Sequence, residues 1–456
     1  MLYKTTEKNR IFAHMDGKMK HLPAGLLLLL AVCCTKPEGG GTTDPDPKPV
    51  ETAVDLSGYK IVYAASAEPE EGADLAALVR EAVKAKTGKT LAATTDDAAE
   101  SANEILLGKT NRSASNTYYA GKPGIFDYCL SVRDGKILVA GGGCWAMEKA
   151  ADFLKREKLV NGLERKGSIY GERLFPRESG ANLRILDDNV WEYNSASNAA
   201  AWAAVGANCT DAVRSIGFAG LVFAYLPDIV CFQEYSKDMD KYLRPRLETK
   251  GYLCSTSGAD WNFTPIFYNS TAVTLEKAIY HRFTPSTFSN GGTKSYTSAV
   301  FTLKANGKKF GVIGTHLWWK SESAYAGSNA AREAQAAELL KEAESIRDNY
   351  GCPVFITGDM NCTLLSNAMK NLVAGGCTPV FNVATVHGDK RNGYHACSAD
   401  GFSRQSNKSD DGFGCIDQFF VYNQGTAEIK TFWRIEPYFT VELTDHYPNY
   451  ADIVIN

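Results

Sequence analysis

Six places in the sequence set a polar, chemistry-bearing residue at the edge of an apolar run. Arg184–Leu186 leads to Asn189, Pro227–Phe232 to Gln233-Glu234, and Phe310–Gly314 to Thr315-His316-Leu317. Val354–Thr357 leads through Gly358 to Asp359 and Asn361. Ile416-Asp417 opens the run Phe419–Tyr422, and Thr444-Asp445-His446-Tyr447-Pro448 precedes Tyr450–Ile455. Short runs of β-favouring residues read as buried strands, so each polar group is held by rigid backbone at a strand end. Gly358 is expected to turn the chain sharply there.

Taken singly, each residue has an ordinary role: Asn189 in a turn, Glu234 at a helix start, Asp417 as a cap, His316 or His446 as a satisfied histidine. Together they supply what phosphoester hydrolysis needs. The equatorial charge of the phosphate must be neutralised, an oxygen nucleophile aimed in line and a leaving oxygen stabilised. Glu234 is a hard oxygen ligand for Mg²⁺, or Mn²⁺ or Ca²⁺, with the neutral Asn189 beside it. Two histidines can donate to non-bridging oxygens, and a carboxylate partner would fix the tautomer of each. Asp359 and Asn361 can orient the attacking water. No GxSxG elbow is present to support a serine triad.

The motifs NVW, PDIVCFQE, GTHL, TGDMN, CIDQFFV and TDHYP, in this order between Leu183 and Asn456, resemble those of the endonuclease/exonuclease/phosphatase superfamily, whose members include deoxyribonuclease I. The resemblance implies an α/β (α+β) fold: a four-layer αββα sandwich spanning residues 181–456, with the site at one edge of its two sheets. It implies that Glu234 binds the metal with Asn189 assisting and Asp445 nearby, and that Asp359 activates the water while Asn361 holds it or a phosphate oxygen. It further implies that His446 contacts the scissile phosphate paired with Asp417, and that His316 is the second histidine. His395, in GYHACSADGF, stands where similar proteins carry an aromatic-histidine pair and is a substrate-contact candidate. Lys294 stands where many bacterial members have an arginine. Cys362-Thr363 after Asn361 departs from the inositol-phosphatase signature.

The start of the chain carries a different kind of signal. Lys18, Lys20 and His21 precede the apolar run Ala24–Val32, and Cys33-Cys34 follow. That is the layout of an export signal, with an apolar run too short to span a bilayer. Met19 would give a more typical start than Met1. Leu30–Cys33 resembles a bacterial lipoprotein box without its small residue before the cysteine, so residues 1–34 are expected to be a lipoprotein-type signal with Cys33 or Cys34 lipidated. Residues 35–51, rich in Gly and Pro, form a tether. The mature chain is then expected in the bacterial cell envelope, anchored to a membrane without crossing it. Its other ten cysteines lie in a compartment that permits disulfides, and none of them has paired CxxC spacing.

The whole chain of 456 residues has a formal charge of −3, and residues 1–32 hold five Lys/Arg against two acids. Their loss makes the mature protein more acidic, which removes any general attraction to polyanions. Nucleic-acid binding therefore has no strong support.

Residues 52–178 read as a small α/β domain. Lys60–Ser66 and Glu104–Leu107 are strand-like, and Leu75, Leu78, Val79, Ala82 and Val83 recur at helical spacing. Asp134-Gly135 joins a hairpin. Met147, Ala150, Ala151 and Leu154 share one helix face. EILLGKTNR, the hairpin and GGGCWAMEKAADFLKRE resemble the accessory domain that precedes the barrel in α-glucuronidases and hexosaminidases, which implies an accessory role with glycan contact.

Trp318 and Trp319 follow the THL motif, and Trp318 is a substrate-stacking candidate. The leading expectation is an exported, lipid-anchored, divalent-metal-dependent phosphoesterase. Nuclease, phospholipid and sugar-phosphate hydrolase all remain open. A non-catalytic surface glycan binder with a disabled sandwich is the alternative.

Overall fold

A computed structural model describes residues 52–65, 69–192, 210–258, 261–284, 288, 294–387, 416–425, 427–435 and 443–456. Cys33, Cys34, His395, the leader and the tether lie outside these residues. Among the described residues no helix is long and apolar enough to cross a membrane.

Two sheets make the body that carries the site. The first has seven strands in the order Val386–His387, Glu428–Arg434, Asn449–Val454, Leu183–Asn189, Ile229–Gln233, Ile266–Asn269, Tyr252–Cys254. The second has six, in the order Val273–Arg282, Ser295–Leu303, Lys309–His316, Val354–Asp359, Asp417–Tyr422, Cys377–Pro379. The near-continuous apolar runs of the central strands follow from burial on both faces. Ile185, Ile229 and Cys231 point inward against Phe301, Val312, Phe355 and Phe419 of the other sheet. Their neighbours Leu186, Val230 and Phe232 point outward beneath the helices Asp211–Tyr225 and Lys237–Glu248. Ile313 and Ile356 likewise meet the helices Ser328–Tyr350 and Asn367–Ala374 on the far side. The layers therefore run helix, sheet, sheet, helix, and Ala336, Leu339, Ala343 and Ile346 form the buried stripe expected of the long cover helix.

A third sheet, built from residues 60–168, has Ala93–Thr95, Lys60–Tyr63, Glu104–Leu107 and Lys136–Gly141 side by side and parallel. Asp127–Arg133 then pairs antiparallel with Lys136–Gly141 as a hairpin, and Glu164–Ser168 forms the edge. Asp134 and Gly135 both take positive φ, as a two-residue hairpin turn requires. Helices Pro69–Thr87 and Cys144–Arg156 cover one face, and Ser113–Ala120 the other. This short third helix carries little apolar periodicity, and the sequence did not announce it.

Residues Val54–Asn456 form one contact unit. The backbone amides of Leu174 and Phe175 both donate to the Ala224 carbonyl, and Phe175 stacks on Tyr225 with ring centres 4.4 Å apart. Arg184, fully buried, donates to Asp452 at 2.6 and 2.7 Å and to the carbonyls of Phe175 and Tyr225. The segment around Pro176 is thus pinned on both sides. All seven described cysteines are free.

Candidate active site

Sheet register brings the polar residues together. His316 pairs with Asp359 in parallel register, and Asp359 pairs with Asp417 antiparallel, so three adjacent strands end in one row. Counting in twos from the inward-facing Val312, Phe355 and Phe419 places all three side chains in the gap between the sheets. Asn189 ends the facing strand on the same inner side, in register with Gln233, and Glu234 follows at once. The loop before the last strand supplies Asp445 and His446.

Gly358 does not make the expected turn. It stays within the strand, pairing with Thr315 and Gln418, at φ of +144°. A Cβ there would lie 2.0 Å from the Thr315 carbonyl oxygen, so glycine is required for close approach of the His316 and Asp359 strands. The chain instead bends just beyond the site strands: Trp191, Glu234 and Asn361 all take left-handed φ near +50°. Such backbone costs on the order of 1–3 kcal/mol per residue and persists where the surroundings enforce it.

The contacts are tight. Asn189 Nδ2 donates to Asp359 Oδ2 at 3.0 Å and lies 3.4 Å from Glu234 Oε1 and 3.3 Å from His446 Nε2. His446 Nδ1 meets Asp417 Oδ2 at 2.8 Å. Asp359 Oδ2 is 3.4 Å from His316 Nε2, and its Oδ1 accepts from the Asn361 backbone at 2.8 Å. The Asn361 side chain donates to the Leu317 carbonyl, bracing the loop after His316. Glu234 Oε2 accepts from the Glu192 amide.

Burial and neighbouring charge set the protonation states. Burial works against a charged His446, but Asp417, Asp445 and Asp359 outweigh it and hold its pKa well above the usual histidine range. His446 is therefore an imidazolium, with Nδ1–H donated to Asp417. Asn189 Nδ2 is itself a donor, and the nearest carboxylates to Nε2, on Asp359 and Asp445, stand 3.8 Å away. That N–H is available to a phosphate oxygen placed in the gap. Burial pushes the Asp359 carboxyl up to about 7, with Asp417 adding to the shift and His446 and Lys294 opposing it. Asp445 is likewise pushed up to about 7, by burial first. His316 is driven well below its usual range by burial and then by Lys294 and His446, so it is neutral.

Residues that could hold a divalent ion are present. Glu234, His316 and Asp359 each offer a ligand atom within 4.8 Å of the others. Asp445 Oδ1 is buried without a hydrogen-bond partner, as a carboxylate facing a cation would be. The donors are mostly hard oxygens, and they fit a divalent cation such as Mg²⁺.

Of the residues expected from sequence, Asn189, Glu234, His316, Asp359, Asp417, Asp445 and His446 meet in this gap, and Asn361 flanks it. Trp318 is placed elsewhere: it is buried, its indole N–H given to Ser328 Oγ at 3.0 Å, while Trp319 is the exposed neighbour. Lys294 is a site residue that sequence reasoning left aside, although its replacement of an arginine was a usable signal. It is buried, with Nζ 2.5 Å from His316 Nε2 and 3.2 Å from Nδ1. Thr444 was also missed: its hydroxyl donates to the Asn189 carbonyl at 2.5 Å and accepts from the His446 amide.

The profile of the endonuclease/exonuclease/phosphatase family matches residues 189–446, from the asparagine of this site to its last histidine. That is more than half of the chain, and the protein belongs to this family. Solved structures with similarity to it include an endonuclease/exonuclease/phosphatase from Bacteroides vulgatus, 20% identical, covering 60% of this chain and 99% of that one with a TM-score of 0.45. A mannosyl-6-phosphatase from Bacteroides thetaiotaomicron is 18% identical over 60% of this chain and 100% of its own, TM-score 0.44. The human Nocturnin catalytic domain is 17% identical over 62% and 97%, TM-score 0.44. No curated protein matches the sequence.

Proposed function

We propose that this protein is an exported, lipid-anchored phosphoesterase that depends on a divalent metal and cleaves a phosphodiester or phosphomonoester. The observation that carries the reading is the meeting of Glu234, His316, Asp359 and the Asp417–His446 pair at one rim of the two sheets. Export and anchoring rest on the Lys18–Cys34 pattern alone.

In this reading Glu234, with Asn189 and Asp445, would hold the cation, which when bound neutralises phosphate charge and stabilises the leaving oxygen. The residues of the chain do the rest. Asp359, held by Asn189 and the Asn361 amide, takes the proton of the attacking water. His446 donates its Nε2 proton as a hydrogen bond to a non-bridging oxygen, and Asp417 stabilises the imidazolium. Lys294, beside neutral His316, adds positive charge to the gap.

The acidic chain and the absence of a basic footprint favour a small or glycan-linked phosphate over duplex DNA. Lys320 lies 5.3 and 5.2 Å from the ring centres of exposed Trp319 and Tyr325, on the loop that follows His316, and such rings suit a sugar face. Hydrolysis of a panel of sugar phosphates, sphingomyelin and plasmid DNA with Mg²⁺ tests the reading. Turnover of one class supports it, and no turnover of any, nor of bis(p-nitrophenyl) phosphate, removes it in favour of a non-catalytic surface binder.

A further inference from the structure

Between the small N-terminal sheet and the site loops stands the helix Asp211–Tyr225. Two glycines one turn apart let it be approached closely. A Cβ on Gly220 would lie 2.0 Å from the Phe126 ring of the N-terminal domain, and one on Gly217 would lie 2.3 Å from Leu443 Cδ2. Leu443 immediately precedes Thr444-Asp445-His446. Phe126, Trp145 and Ile169 share one core with Phe218, Val222 and Tyr225 of the helix, and Trp145 packs against Phe175 with ring centres 4.9 Å apart.

The helix then grips three site loops through two buried side chains. Arg214 donates from Nε to the Leu443 carbonyl at 2.7 Å, and from Nη2 to the carbonyls of Val190 and Trp191, just after Asn189. Its Nη1 donates to Asp211 Oδ1 at 2.9 Å. Asp211 Oδ2 accepts from Ser236 Oγ, two residues past Glu234. Asn189, Glu234 and Asp445-His446 therefore all hang from the first turn of a helix whose C-terminal half is seated on the N-terminal domain.

We propose that the N-terminal domain works as the seat of the catalytic loops: it fixes the helix Asp211–Tyr225, and Arg214 is the positioning residue that passes this placement to Asn189 and His446. Its kinetic arm rests on the phosphoesterase reading, while its exchange arm does not. Phe126 meets the helix at Gly220, so its effect on the site loops is expected to travel through the helix.

Wild type, Phe126→Leu, Arg214→Lys and Arg214→Ala are compared as full chains by hydrogen exchange with mass spectrometry and by steady-state hydrolysis of bis(p-nitrophenyl) phosphate. Thermal melting establishes that each is folded, and Trp145→Phe replaces Phe126→Leu if the latter is not. Phe126→Leu is expected to speed exchange about threefold or more in segments 186–192 and 443–449. It lowers kcat about tenfold and leaves KM within about twofold. Arg214→Lys keeps more of kcat than Arg214→Ala. Exchange altered only within residues 54–178, with kcat of Phe126→Leu equal to wild type, overturns the proposal. If the wild type hydrolyses nothing, the phosphoesterase reading fails, and the exchange comparison still decides the coupling.

Discussion

Asp417 and His446 stand on different sheets, and their 2.8 Å contact closes the site across the gap between them. Asp417 opens a strand of the second sheet, while His446 lies in the loop feeding the last strand of the first. The pair keeps the imidazole protonated and aims its Nε2 at Asp359 and Asp445. Asp417→Asn preserves shape but removes the charge that holds the proton. It is expected to lower kcat about 100-fold with a smaller change in KM, read from steady-state hydrolysis of bis(p-nitrophenyl) phosphate.

The rate should rise with pH on its acid side. Asp359 serves as base only as a carboxylate, and without a cation its proton leaves at about 7. Asp445 titrates in the same range, so the apparent value belongs to the cluster. A bound cation favours the charged form, which moves the rising limb to lower pH. Profiles of kcat/KM at saturating and at low Mg²⁺ should therefore separate, the saturated one lying to the acid side. A rate that falls between pH 5 and 7 at both concentrations contradicts the role of Asp359.

Metal binding should also be visible without turnover. A cation that binds the folded chain alone stabilises it by about 2.7 kcal/mol at 100 times its Kd. Mg²⁺ is expected to raise Tm in the wild type and to do so much less in Glu234→Gln, and removal by EDTA should reverse the rise. Equal shifts in both proteins would take Glu234 out of the cation site.

Arg184 gives a prediction about stability rather than catalysis. Its guanidinium and Asp452 are both buried, and it also donates to the carbonyls of Phe175 and Pro176 and to that of Tyr225 at the end of the helix Asp211–Tyr225. Removing one partner of such a pair leaves an uncompensated charge and costs roughly 3–5 kcal/mol. Arg184→Ala should lower the urea midpoint accordingly, and Arg184→Met with Asp452→Leu should recover part of the loss. A midpoint within error of wild type for Arg184→Ala contradicts this role of the Arg184–Asp452 pair.

The strands were legible in the sequence because residues such as Ile229–Phe232 are buried on both faces and read as unbroken apolar runs. The long cover helix was legible for the opposite reason, its apolar stripe repeating at helical spacing from Ala336 to Ile346. The site residues could be found one by one at strand ends, but their row across His316, Asp359 and Asp417 is a fact of register, which sequence does not state. Gly358 was misread because a glycine after a strand signals a turn, whereas here it lets two backbones touch. Trp318 and Trp319 show the same limit, since adjacent aromatics give no sign of which one faces the core. Arg214 escaped because a single buried cation far from any motif looks like a surface charge until the fold encloses it. Lys294 was seen only as a replacement for an arginine, with no sign that it is buried against His316.

The most direct measurement is hydrolysis of bis(p-nitrophenyl) phosphate with added Mg²⁺ by the wild type and by His446→Ala. The account predicts turnover by the wild type and a loss of about 1000-fold in kcat/KM in the variant, since the imidazolium donor acts on the phosphate itself. Equal, slow hydrolysis by both proteins would mean that the six strand ends meet for a reason other than phosphoester cleavage.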